Sequence, residues 1–179
     1  MDVRKIIARL PEIVYEWCII VTKEIPFREY VVDACKQNRC GMYGKTWQCP
    51  PGVGAMEELQ KKYLSYRNAL VFTTCHKLED SFDIEGMSQA REKHERTTDL
   101  VIELFEGINI RALSAEGCGL CAQCTYPYAP CRYPQKARPS VESNGISVVE
   151  LAQECGVAYK NEKNTVTYFS LILFDKQVD

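Results

Sequence analysis

Four cysteines fall within fourteen residues of this chain, in the stretch "CGLCAQCTYPYAPC" from Cys118 to Cys131. Any fold the chain adopts has to present those thiols close together. Four tasks suit such a cluster: disulfide bonding, zinc binding, iron–sulfur ligation and nucleophilic catalysis.

The compartment narrows the choice. The N-terminus "MDVRKIIARLPEIVYEW" has no apolar signal region, and no stretch approaches the ~20 apolar residues of a membrane span. A cytoplasmic protein is the expectation, and thiols there stay reduced, so a disulfide framework is disfavoured. Of ten cysteines, seven lie in two groups: Cys35, Cys40 and Cys49, then Cys118, Cys121, Cys124 and Cys131. Cys18, Cys75 and Cys155 stand alone. Grouped thiols in a reducing compartment point to metal.

The rest of the chain is ordinary. Its 179 residues are 46% hydrophobic and 26% charged, which suits one domain, 1–179, with a core that needs no staples. A net charge of −2 offers no general attraction to nucleic acid or to an acidic membrane.

Patterning outlines the elements. Residues 12–32 read as extended segments bent near Pro26, and residues 33–54 as a cysteine-bearing loop ending in "CPPGVG". Residues 55–67 read as a helix and 69–74 ("ALVFTT") as a buried strand. A long amphipathic helix is predicted over 83–106, stopped near Gly107, with His94 on its apolar stripe. Residues 110–114 read as a strand from which the second cysteine loop, 115–140, departs. A helix over 148–155 follows, started by Ser147 with Glu150 and ended by Gly156, and then the apolar strand 165–174. The order predicts an α/β or α+β protein. It has a sheet core, packed helices and the cysteine loops at one end.

Cys118, Cys121 and Cys124 form a C-x2-C-x2-C run, the spacing with which three thiolates reach different irons of one cluster. A single zinc usually takes two short C-x2-C knuckles held far apart, and a third adjacent cysteine would strain its tetrahedron. An iron–sulfur cluster of the [4Fe–4S] type is therefore the expected cofactor, with zinc as the alternative. Cys131 is the expected fourth thiolate, although six residues separate it from the run and Arg132 and Tyr133 stand before Pro134, a close but not identical match to the ferredoxin pattern. Tyr126, Pro127, Tyr128, Pro130 and Pro134 offer rigid apolar cover, and Arg132, Lys136 and Arg138 bring positive charge. Those charges suit an acidic redox partner or a small anionic substrate, although single basic residues on loops are often only solvated.

The first group, Cys35, Cys40 and Cys49, again places three thiols on a turn-rich stretch, with Cys49 followed by Pro50 as at the closing position of a ferredoxin loop. Either it joins the second group or it builds a second centre. A fourth ligand then comes from Cys75, Cys18 or Cys155, or from outside the protein. His76 is a weaker ligand candidate, and Glu142 a hydrogen-bonding partner for the cluster loop.

The segments "CGMYGKTWQCPPG" and "CGLCAQCTYPYAPCRYPQKARPSVESNGISV" resemble the predicted metal-binding family known as domain of unknown function 2284, over roughly residues 30–155. The resemblance implies metal binding through these cysteines and supplies no substrate. Three functions remain open: an iron–sulfur redox or electron-transfer protein, a zinc-stabilised binding module, and an enzyme acting through an open iron of a cluster.

Overall fold

A computed structural model describes residues 3–176. Its centre is a four-stranded sheet in which every neighbouring pair is antiparallel, in the order β1-β2-β4-β3. The strands are β1 (Glu16–Val21), β2 (Asn68–Lys77), β3 (Ile110–Leu113) and β4 (Thr165–Phe174). The all-antiparallel pairing resolves the fold class as α+β. The two long central strands are the apolar runs of the sequence, because a strand covered on both faces needs apolar side chains in both directions.

Alternation along those strands builds two cores. Ala69, Val71, Leu171 and Leu173 face one side. There they meet Leu59 and Tyr63 of α3 (Met56–Tyr63), and Leu151 and Ala152 of α5 (Val148–Cys155). Leu70, Phe72, Ile172 and Phe174 face the other side. There they meet Val3 and Ile6 of α1 (Val3–Arg9) and Val101 of α4 (Ile84–Glu103). On α4, Ala90, His94, Thr98 and Val101 are buried at helical spacing.

His94 belongs to the core, as its place on the apolar stripe predicts. One ring nitrogen shares a hydrogen bond with Thr74 Oγ1 (2.8 Å) and the other with Ser170 Oγ (2.8 Å). Burial holds its pKa far below the usual value, at about 3, so the ring is neutral. His76 also bonds Thr74 Oγ1 (2.9 Å), which makes it part of this network.

The start of α5 departs from a full capping box. Ser147 accepts from Glu150 N–H, but the Glu150 carboxylate turns away to Arg28 and the Tyr30 hydroxyl. Gly156 ends the helix at φ 64°, the left-handed position that glycine adopts without strain.

Two expectations need correction. The segment 12–32 is not extended throughout: only β1 is strand, and α2 (Glu29–Lys36) begins where Val31 and Val32 suggested a β run. Arg28 is extended, Glu29 opens the first turn, Lys36 lies in the last, and only Val31 is buried, so charge placement and one-sided burial favour the helix over β propensity. Cys35 therefore sits on α2, not in a loop. The second correction concerns Cys18 and Cys155, which are joined in a disulfide between β1 and α5, with 5.6 Å between their Cα atoms. The lone cysteines of the sequence become neighbours because β1 is an edge strand beneath α5.

Candidate metal centre

The second cysteine loop leaves β3 and returns beside it. Ser114 and Ser140 form a parallel bridge: Ser114 N–H donates to the Pro139 carbonyl (2.9 Å) and Val141 N–H to the Ser114 carbonyl (2.9 Å). Residues 115–139 thus form an excursion pinched at its base. Inside it, Thr125 Oγ1 donates to the Pro130 carbonyl (2.8 Å), and the Arg132 guanidinium donates to the Gln123 carbonyl (2.8 Å). Arg132 is a brace of this loop as well as a surface charge.

The first loop interlocks with the second. Trp47 Nε1 donates to the Ala129 carbonyl (3.0 Å), and its ring meets Tyr126 edge-on at 4.9 Å. Gly52 lies under the same ring, where a Cβ would stand 2.5 Å from the Thr46 carbonyl oxygen and 2.8 Å from the Tyr126 ring. Cys49 packs on the backbone of Gly117, beside Cys118. Tertiary structure therefore brings both cysteine groups to one end of the protein.

The groups stay distinguishable. Cys118, Cys121, Cys124 and Cys131 line one cavity of about 460 Å3, with Trp47 and Arg132. Cys35, Cys40 and Cys49 line a second, of about 660 Å3, with Glu116 and Glu142. Met42 and Cys118 line both. Cys75 lies on β2 opposite Thr167 and lines neither cavity. With Cys18 and Cys155 bonded to each other, all three of the proposed fourth protein thiols are removed from the first group.

Burial pushes the thiols of Cys35, Cys49 and Cys118 up, and neighbouring cysteines push them further. Cys124 goes the other way. Its burial raises the pKa, but main-chain N–H groups of Tyr126, Trp47 and Thr125, with the Arg132 charge, outweigh that and bring the thiol down. Backbone N–H groups aimed at sulfur are the kind of contact that tunes a metal–thiolate centre.

Glu142 opens a short 3-10 turn, Glu142–Asn144, and its main-chain carbonyl lies 3.9 Å from Cys35 Sγ. Burial pushes its carboxyl up to about 7. Glu116 is also raised by burial, against the pull of Arg91, whose Nε lies 3.2 Å from its carboxylate. Arg138 is committed elsewhere, to Glu95 (2.8 Å) and Asp99 (2.6 Å). Glu116 and Arg91 are the charged residues of the second cavity that sequence reading missed, and Trp47 was missed on the first. Arg91 is on α4, and only packing of that helix beside the loop brings it to the site.

Among the described residues, no three His, Cys, Asp or Glu side chains converge closely enough to hold a single ion. The thiols line cavities instead. The donor set of the first cavity, four thiols, fits the ligand chemistry of an iron–sulfur cluster and also that of zinc. The side-chain oxygen of Gln48, beside the first cavity, is buried without a protein partner.

Fold and site together define an antiparallel α+β protein whose interlocked loops enclose two thiol-lined cavities. The chain belongs to the DUF2284 family of predicted metal-binding proteins, whose family model matches residues 18–174. No curated protein and no solved structure matches it significantly. No helix among the described residues is long and apolar enough to cross a membrane.

Proposed function

We propose that this metal-binding protein is an iron–sulfur protein that passes single electrons. The observation that carries the reading is the first cavity: Cys118, Cys121 and Cys124, at C-x2-C-x2-C spacing, line one space together with Cys131. Three thiolates at that spacing can each reach a different iron of one cubane, whereas a single zinc usually takes two short C-x2-C knuckles held far apart. Bound there, a [4Fe–4S] cluster supplies one-electron redox chemistry. Cys35, Cys40 and Cys49 hold a second centre in the adjoining cavity.

The chain's own residues limit access and set the local field. Trp47 and Tyr126 wall the cavity, the N–H groups at Cys124 stabilise its thiolate, and Arg132 braces the loop. Arg132 and Lys136 are exposed and offer positive charge to an acidic redox partner.

Isolation without air tests the proposal. The expected protein is brown, absorbs broadly near ~400 nm and contains iron with acid-labile sulfide. Cys118→Ala, Cys121→Ala and Cys124→Ala should each remove most of about four irons. A colourless zinc protein, or full iron retention in all three variants, overturns it.

A further inference from the structure

Seven cysteines line the two cavities, and two clusters held entirely by cysteine need about eight. Among the described residues none is left to make up the difference. Cys18 and Cys155 are bonded together, and Cys75 lines neither cavity. Cys118 is the one cysteine lining both, and it is part of the C-x2-C-x2-C run. Cys35, Cys40 and Cys49 are therefore one thiolate short.

The space beside these three thiols is larger than that beside the other four, about 660 Å3 against about 460 Å3. A volume of this size is within the range of small-molecule sites. Its charge is one-sided. Arg91 is the only cation on the lining, and its Nε is already 3.2 Å from the Glu116 carboxylate. At about pH 8, where the Glu142 carboxyl is ionised, it and the thiolates have no further cation on that lining to balance them. A dianion brought into this space gives up water and meets carboxylates and thiolates, whereas a neutral or cationic molecule avoids that repulsion.

We infer that Cys35, Cys40 and Cys49 hold a cluster with one iron that has no protein thiolate, and that the cavity admits a small neutral or cationic oxygen- or nitrogen-donor molecule to it. The inference rests on the iron–sulfur reading and deepens it: one site is built for ligand exchange and the other for holding its cluster.

Mild oxidation of the full chain, isolated without air, tests the open iron. The expected result is release of one iron per chain and the electron paramagnetic resonance signal of a three-iron cluster. Both should vanish in a Cys35→Ala, Cys40→Ala, Cys49→Ala variant that keeps the other cluster's signal. Imidazole, ethanolamine and malonate are then titrated at about pH 8, where Glu142 is ionised, against the reduced protein while the cluster spectrum is followed. Imidazole and ethanolamine should perturb the spectrum at concentrations at least ~10-fold below malonate, the ratio that ~1.4 kcal/mol of repulsion produces. Glu116→Gln with Glu142→Gln should narrow that gap. A cluster-loaded chain that releases no iron and responds to no probe overturns the inference while leaving the iron–sulfur reading intact. Equal potency of malonate, or a gap that the double variant does not narrow, overturns the ligand class. A chain that holds zinc and no cluster overturns both readings.

Discussion

Cys49 Sγ lies against the main chain of Gly117, so close that a Cβ at that position would stand 3.1 Å from the sulfur. The contact joins the two cysteine groups, since Gly117 precedes Cys118 and Cys49 closes the first group. A hydrogen at position 117 lets the sulfur sit there without crowding.

Gly117→Ala should therefore disturb both centres. The methyl meets Met42 Cε at an ordinary 3.6 Å but requires Cys49 Sγ to give by a few tenths of an ångström, and overpacking of this kind typically costs about 1–3 kcal/mol where the neighbour is held in place. Gly119→Ala is the control, because a Cβ there meets nothing within 4 Å. Iron content and thermal stability of the two variants decide the matter. Equal behaviour would mean that Cys49 yields without cost.

His94 should make stability depend on pH. Its folded pKa of about 3 lies below the ordinary 6.5, so the folded state favours the neutral ring. The stabilisation is complete above pH 6.5 and declines as pH falls toward about 3, by at most ~1.4 kcal/mol per pH unit for one proton. Urea unfolding of wild type and His94→Gln between pH 7.5 and 5.5, a range of about two units, should show a steeper loss in the wild type. Parallel curves would remove His94 as the source. His94→Gln should also be less stable at neutral pH, since Thr74 and Ser170 lose well-placed partners.

The Cys18–Cys155 bridge closes a loop with a sequence separation of 137 residues. Chain-entropy reasoning assigns such a loop a stabilisation of about 5 kcal/mol. Alkylation of the unfolded, unreduced apoprotein should leave Cys18 and Cys155 unmodified, as read by peptide mass mapping. Cys18→Ser with Cys155→Ser should lower the unfolding midpoint while leaving iron content unchanged. Alkylation of both cysteines without prior reduction would show that the bridge does not form.

Electron transfer with an acidic ferredoxin should slow as salt rises, because exposed charges are screened over about 10 Å at 0.1 M ionic strength. Lys136→Gln is the cleaner test of docking, since Arg132 also holds the Gln123 carbonyl. Lys136→Gln should flatten the salt dependence with iron content intact, whereas Arg132→Gln should also loosen the loop. A wild-type rate independent of ionic strength would reduce both to loop charges.

Local patterns in the sequence determined much of this protein. Apolar runs marked β2 and β4, because a central strand is buried on both faces and has no polar alternation to lose. Ser147 and Gly156 marked the ends of α5 through their own backbone chemistry, and His94 declared itself on the buried stripe of α4. The C-x2-C-x2-C run and the spacing of Cys35, Cys40 and Cys49 marked these thiols as the candidate ligands. Tertiary structure decided what spacing cannot carry. Packing against the 3-10 turn at Glu142 put Cys35 on a helix in spite of its β-branched neighbours, and the position of β1 beneath α5 paired Cys18 with Cys155. Trp47 on Ala129 and Cys49 on Gly117 joined two loops separated by some sixty residues of sequence. Such contacts depend on where the sheet and helices deliver the ends of each loop. Residue order alone holds no record of it.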